Sequence, residues 1–173
     1  MADGAAPGAR LTLERGVRLW RATLWPESWQ ETTAAIGWAL GVTPPAPGAS
    51  VAGAFGRLWR PEPLVWAMLD APGDGPPRAF AGIGPETGAV AETGPGVARL
   101  AVRGAHAAEL LARAVTLDLR PAAFPPGAVA TTGWRDAAVT VIRPENGGLD
   151  LLTPLSFAED FAAVLARHAR QFG

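Results

Sequence analysis

The sequence predicts an α+β fold that combines mainly antiparallel sheets with three helices. Strand-like and helix-like segments follow one another in the order β-α-β-β and then β-α-β-β-β-α, without the strict alternation that produces a parallel sheet. Hydrophobic residues make up 49% of the chain and charged residues 18%, which argues against a disordered protein. The length of 173 residues fits one domain, or two small halves that share a core.

Three strands are predicted in the first half of the chain. We expect residues 1–10 to be disordered, and the alternation of side chains across 15–24 to form the first strand. Residues 51–60 and 64–69 predict two more strands around a turn, and the second of these is apolar on both faces.

The first helix is predicted from a start signal and a stop signal. Ser28 and Glu31 have the spacing of a capping box, in which each side chain binds a free backbone N–H of the first turn. A helix from Trp29 to about Leu40 follows, and Gly41 is placed to end it in the left-handed conformation.

The second half is predicted to contain four strands and two helices. A strand at 97–102 leads into a short helix, and further strands lie near 128–134, 138–143 and 149–153. Ser156 and Glu159 repeat the capping-box spacing before the final helix. One face of that helix is an apolar stripe with a histidine in it, made of Phe157, Phe161, Val164, Leu165, His168 and Phe172.

A glycine- and proline-rich segment divides the two halves. Residues 71–96 contain seven glycines and five prolines, a composition that is typical of loops. We therefore expect a single α+β domain over 11–173, with halves at about 11–70 and 91–173 joined by this segment.

Charge and hydropathy exclude several classes of partner. The net charge is −1 and every cation is an arginine, so the chain offers no basic surface for nucleic acid or an anionic membrane. No apolar stretch is long enough to span a bilayer, and the N-terminus does not have the pattern of a signal peptide. These features predict a cytoplasmic protein that is not bound to a membrane.

No residue set predicts a catalytic, cofactor or metal site in this chain. The glycines of 81–89 are spaced one residue too widely for a dinucleotide fingerprint, and a Walker A loop needs a lysine that the chain lacks. The chain has no cysteine, and its two histidines, His106 and His168, are far apart in the sequence. Ser50 is not in a nucleophile elbow, and the other two serines are predicted helix caps.

Tryptophan is abundant enough to suggest a partner protein. The chain has seven tryptophans and no tyrosine, and tryptophan is enriched at the centres of interfaces. At about 100° per residue, Trp38 lies about 180° from the inward-facing Trp29 of the first helix. Trp38 is then covered by the loop at 43–49, binds a partner, or is simply exposed. We consider Trp38 and His168 as candidate partner-interface residues.

The link before the last three strands carries one large apolar side chain. In Phe124-Pro125-Pro126-Gly127 the prolines restrict the backbone, and Gly127 can adopt a positive φ at the entrance of the next strand. We expect Phe124 to be buried and to hold these strands against the preceding helix.

Several segments resemble the gamma subunit of heterotetrameric sarcosine oxidase. They are LDLRPAAFPPG (117–127), VTVIRP (139–144), LDLLTPLSFAEDFAAVL (149–165), the terminal QFG and, in the first half, WRPEPLVWAML (59–69). The fold of that family is similar to part of the tetrahydrofolate-binding domain of the glycine-cleavage aminomethyltransferase. The resemblance implies the same α+β fold for this chain.

The resemblance also implies a role without chemistry of its own. It places NAD and tetrahydrofolate in an alpha subunit, FAD in a beta subunit, covalent FMN between the two, and zinc in a small delta subunit. The whole enzyme oxidises an N-methyl amino acid. No catalytic residue of that system maps onto this sequence, so we expect a non-catalytic subunit.

Two other functions stay open. A free-standing folate-binding or one-carbon-transfer protein of the aminomethyltransferase type needs a pocket carboxylate and aromatic clamps for the pterin, and no such set stands out. The second alternative is a protein-interaction module without an enzyme partner.

Overall fold

The computed structural model describes Gly4–Ala6 and residues 8–172. This part of the chain contains two antiparallel sheets and three α-helices, which confirms the predicted α+β class. The strands are β1 (Gly4–Ala6), β2 (Ala9–Arg15), β3 (Leu19–Leu24), β4 (Ser50–Gly53), β5 (Gly56–Glu62), β6 (Val65–Leu69), β7 (Gly88–Glu92), β8 (Val97–Arg103), β9 (Val129–Trp134), β10 (Ala137–Ile142) and β11 (Leu149–Pro154). The helices are α1 (Trp29–Leu40), α2 (Ala107–Ala112) and α3 (Ala158–Ala169).

The chain divides into two compact units, each with one sheet. One unit consists of Met1–Gly16 and Gly96–Gly173, and the other of Val17–Pro95. The strands β1 and β2 belong to the same unit as Gly96–Gly173 because β2 pairs antiparallel with β8. Arg10 lies opposite Arg103, and Arg15 lies opposite Ala98. A single domain over 11–173, with halves at 11–70 and 91–173, stays a prediction.

The larger unit is built on a sheet with the strand order β1-β2-β8-β11-β10-β9. In β8, Ala98, Leu100 and Val102 are buried and alternate with partly exposed residues, as expected when one face of a strand packs on a core. This core also takes side chains from α2 and α3. It includes Leu11, Leu110, Leu111, Trp134, Val139, Val141, Leu149, Leu151, Phe161 and Leu165.

The smaller unit is built on a sheet with the order β4-β5-β6-β3-β7. Its central strand β6 is buried along its whole length, as the sequence predicts for a segment that is apolar on both faces. One core cluster of this unit combines strand residues with α1 and the short helix at Arg78–Phe80. It includes Trp20, Ala22, Leu24, Ile36, Leu58, Trp66, Met68 and Phe80.

The boundaries of α1 agree with the sequence, but its predicted capping box does not form. The Ser28 side chain makes no capping bond to the helix, and its hydroxyl instead donates to the carbonyl oxygen of Thr87 at 2.6 Å. Gly41 ends the helix as predicted, with a φ of 68° and its N–H bonded to the carbonyls of Gly37 and Trp38.

The capping box predicted at α3 is also absent. Residues Leu155–Phe157 form a short 3-10 helix, so Ser156 lies before the actual N-cap, Phe157. Glu159 is occupied by an ion pair with Arg15 of β2. The apolar stripe is confirmed where Phe161 and Leu165 are buried, while the side chain of Phe172 lies outside the described residues.

Several strand boundaries differ from the sequence pattern. The segment 51–60 is split into β4 and β5 by a tight turn, and Gly56 there has a φ of 96°. A Cβ on Gly56 would lie 2.3 Å from the carbonyl oxygen of Leu69, so only glycine fits. The glycine-rich segment 71–96 contains β7, whose pairing with β3 gives those residues regular structure.

The N-terminal segment forms strands where no regular structure is predicted. Of residues 1–10, Met1–Asp3 and Pro7 lie outside the described residues. Gly4–Ala6 pairs with β2 as a short hairpin, and β2 itself starts at Ala9. On its other side β2 pairs with β8, which is distant in sequence, so no local pattern predicts this pairing.

Candidate interaction surface

Trp38 lies on the outer side of α1. The inner side carries Ile36, which is buried, and Trp29, whose ring stacks in parallel on Trp66 with 5.7 Å between the ring centroids. Thr33 accepts a hydrogen bond from Nε1 of Trp66 at 3.1 Å. The predicted inward face of α1 is therefore confirmed, and the helical period turns Trp38 away from it.

The Trp38 side chain is 85% exposed. The loop at 43–49 does not cover it, because this loop folds back against a different side of the helix. A Cβ on Gly37 would lie only 2.8 Å from Cδ of Pro44, which shows how closely that proline approaches the helix at Gly37. Coverage of Trp38 by this loop is therefore ruled out, and its role at a partner interface stays a prediction.

His168, the second candidate, is half-buried on α3 between the buried residues Leu165 and Ala169. Its Nδ1 is buried and has no hydrogen-bond partner among the described residues. His168 and Trp38 belong to different compact units. The interface role of His168 also stays a prediction.

The structure shows a partly buried ion pair that the sequence pattern did not reveal. Asp150 of β11 is 8% exposed and accepts a hydrogen bond from Nη2 of Arg103 at 2.5 Å. Nη1 of Arg103 donates to the carbonyl oxygen of Leu149 at 2.8 Å. In the sequence Asp150 is one polar residue in an apolar strand, and only the pairing of β8 with β11 brings Arg103 beside it.

A second carboxylate, Asp118, is held in the link before β9. Its Oδ1 accepts from Nε of Arg120 at 2.8 Å and from the backbone N–H of Arg120 at 3.1 Å. These hydrogen bonds, together with the arginine charge, lower the pKa of Asp118 from 3.8 to about 2. Both groups are exposed, so the pair is a local clamp of the link.

We expect the Asp118 carboxyl to titrate near pH 2, well below its ordinary value of 3.8. A lowered pKa favours the folded chain above pH 3.8, and this contribution disappears as the pH falls through about 2. An NMR titration of the carboxyl carbon measures this, and Arg120→Ala should return the midpoint towards 3.8. A midpoint near 3.8 in the unchanged chain would show that the pair does not form in solution.

The remaining polar side chains do not assemble a metal site within the described part of the chain. No group of three or more His, Cys, Asp and Glu residues there could hold a metal ion. His106, for example, pairs with Glu109, with 3.3 Å between Nδ1 and Oε2. None of the described helices has the length and hydrophobicity needed to cross a bilayer.

The fold has a counterpart among solved structures. No family model and no curated protein matches the sequence. The structure is similar to a chain of "Heterotetrameric Sarcosine Oxidase from Corynebacterium sp. U-96 in complex with pyrrole 2-carboxylate", with a TM-score of 0.81 and 22% sequence identity. The similarity covers 98% of this chain and 88% of that chain. At this identity it shows that the two chains share a fold.

Proposed function

We propose that this chain is the non-catalytic, gamma-type subunit of a heterotetrameric, flavin-dependent enzyme that oxidatively demethylates an N-methyl amino acid. The observation that carries the proposal is the similarity in fold to a chain of heterotetrameric sarcosine oxidase over 98% of this chain. The segments at 117–127 and 149–165 support it, because their sequences resemble the gamma subunit.

The proposal assigns the chemistry to other subunits. Alpha, beta and delta partners would carry FAD, FMN, NAD, tetrahydrofolate and zinc, and this chain would bind the partners in the cytoplasm. The exposed indole of Trp38 supports a binding role, since a large aromatic side chain in water gains free energy when a partner buries it. His168 is proposed as a second interface residue, because its side chain is only half-buried on α3 and its exposed part is open to a partner.

Purification of the untagged protein from its host tests the proposal. We expect flavoprotein subunits to co-elute with the chain, and the pooled fractions to oxidise N-methyl amino acids. The isolated recombinant chain serves as the control and should have no such activity. Elution of the chain without partners would contradict the proposal. Binding of tetrahydrofolate by the isolated chain would favour the free-standing folate protein instead.

Trp38→Ala is expected to weaken the complex without unfolding the subunit. The side chain is 85% exposed, so its loss should change the free energy of unfolding of the isolated chain by less than about 0.5 kcal/mol. If Trp38 is an interface anchor, binding to the partners should weaken by at least about 2 kcal/mol, or roughly 30-fold. Chemical denaturation of the isolated variant measures the first effect, and titration of the partner subunits with it measures the second, both separately from catalysis.

Leu155→Ala provides a matched control for Trp38→Ala. Leu155 is also a large apolar residue at the surface, 37% exposed, but it lies in the short helix before α3. It should leave partner binding within about twofold of the unchanged chain. Equal affinities of Trp38→Ala and the unchanged chain would remove Trp38 from the interface.

A further inference from the structure

The strand β9 forms one edge of the six-stranded sheet, with β10 as its neighbour. The backbone N–H of Arg143 donates to the carbonyl oxygen of Ala128, and pairing continues in register to Trp134 opposite Ala137. In an antiparallel ladder, alternate residues point their N–H and C=O groups at the neighbour. The backbone N–H and C=O groups of the even-numbered residues of β9 therefore bond to β10. Those of Val129, Thr131 and Gly133 point outward, away from the sheet.

These outward groups have no partner among the described residues. No backbone or side-chain hydrogen bond joins the main chain of Val129, Thr131 or Gly133 to another described segment. Thr131 and Gly133 are exposed, and a Cβ on Gly133 would meet nothing within 4 Å. A second strand that pairs here therefore meets both free donors and free acceptors.

The edge at β9 also lacks the features that protect sheet edges from pairing. Its sequence, VATTGW, contains no charge and no proline, and its six residues pair with β10 without a bulge. The other described edges are less suited to pairing. β1 has 3 residues, β4 has 4 and ends in a tight turn, and β7 carries the charged Glu92.

A second copy of β9 fits this edge without mismatch. When the β9 strands of two copies run antiparallel about a two-fold axis at Thr131, Thr131 of one copy lies opposite Thr131 of the other. Val129 of each copy then lies opposite Gly133 of the other. Every outward N–H and C=O of these three residues then has a partner, because hydrogen-bonded pairs exchange both bonds. The arrangement closes on itself, as a two-fold interface must, and sets no two like charges opposite each other on β9.

Side chains also favour this alignment of the two strands. Oγ1 of Thr131 already lies 3.2 Å from Oγ1 of Thr140 on β10. Pairing of the two Thr131 residues would extend this contact into a row of four hydroxyls, from Thr131 and Thr140 of each copy. Cross-strand threonine pairs are favourable. The missing side chain of Gly133 leaves space opposite Val129.

We propose that β9 is a self-association edge, through which two copies of this chain join their six-stranded sheets antiparallel about Thr131. The contact is small, so we expect a weak dimer with a dissociation constant on the order of 100 μM. The inference concerns the isolated chain and does not depend on the proposed function.

Sedimentation of the isolated chain from about 10 μM to about 1 mM tests the proposal. We expect a monomer–dimer equilibrium, which Gly133→Lys should weaken at least about tenfold by placing a charge on the edge. Gly82→Lys adds the same charge at an exposed loop glycine whose Cβ would also meet nothing within 4 Å, and it should dimerise like the unchanged chain. Circular dichroism of each variant confirms that it is folded.

Cross-linking tests the register independently. The chain has no cysteine, so Thr131→Cys introduces a unique thiol. Cα atoms in a hydrogen-bonded antiparallel pair are about 5.5 Å apart, which a disulfide can bridge. Under mild oxidation we expect Thr131→Cys to form dimers at least about tenfold faster than Gly82→Cys. Any one of three results would overturn the proposal. The chain could stay monomeric at every concentration, Gly133→Lys could dimerise as strongly as the unchanged chain, or Thr131→Cys and Gly82→Cys could cross-link at the same rate.

Discussion

Replacing Trp66 by alanine is expected to lower the free energy of unfolding by about 3–5 kcal/mol. The side chain is 1% exposed and belongs to the core of the smaller unit, so its removal leaves a large cavity. It also removes the parallel stacking on Trp29, and the guanidinium of Arg60 lies 4.9 Å from the centroid of the Trp29 ring. The hydroxyl of Thr33 loses its donor at the same time. Chemical denaturation followed by far-UV circular dichroism measures the loss without relying on tryptophan fluorescence.

Two other substitutions separate the contributions to this effect. Trp66→Phe keeps an aromatic ring against Trp29 but loses the hydrogen bond to Thr33, so we expect it to cost about 1–2 kcal/mol. Trp38→Ala removes the same kind of side chain from an exposed position and should cost less than about 0.5 kcal/mol. Similar losses for Trp66→Ala and Trp38→Ala would mean that Trp66 is not part of a packed core.

Phe124→Ala is expected to destabilise the chain by about 3–5 kcal/mol through the core of the larger unit. The side chain is 6% exposed, which confirms the predicted burial, and it belongs to the same cluster as Leu110 and Leu111 of α2. The link around it is held by its own backbone, because the N–H of Phe124 donates to the carbonyl oxygen of Arg120 at 2.9 Å. Since this link cannot move freely into a cavity, the full loss should appear in chemical denaturation.

Phe124→Leu is the matched control, since it keeps an apolar side chain at the same place with less volume. We expect it to cost no more than about 1.5 kcal/mol. A loss below about 1 kcal/mol for Phe124→Ala would instead show that the site collapses around the smaller residue or contributes little to the core.

Local sequence signals located most elements of the fold but gave an incorrect account of how the helices begin. Gly41 ends α1 as predicted, since a residue with a φ of 68° is a requirement that glycine meets locally. The serines of both predicted capping boxes have the right spacing, but neither caps its helix. The Ser28 hydroxyl bonds to Thr87, and that partner becomes available only when β7 pairs beside β3.

The candidate interface residue Trp38 was also only partly predictable, because its exposure depends on contacts between segments that local sequence does not determine. Helical period placed Trp38 opposite Trp29 without any knowledge of the tertiary structure. Whether the loop at 43–49 covered it depended on where Pro44 packs, and that contact with Gly37 is set by tertiary structure. Likewise, no local pattern identifies the buried Asp150, because its partner Arg103 is supplied by a neighbouring strand.

The sequence by itself determined the α+β class, the positions of α1, β6 and the strands from β8 onward, and the inward faces of α1 and α3. These features follow from the period of apolar residues and from glycine, whose effects act within a few residues. Only the tertiary structure decided that β2 belongs with β8, that β9 is an edge strand, and that Arg103 lies beside Asp150. The pairing of strands distant in sequence is decided by which faces can be buried together, and that choice is made over the whole chain at once.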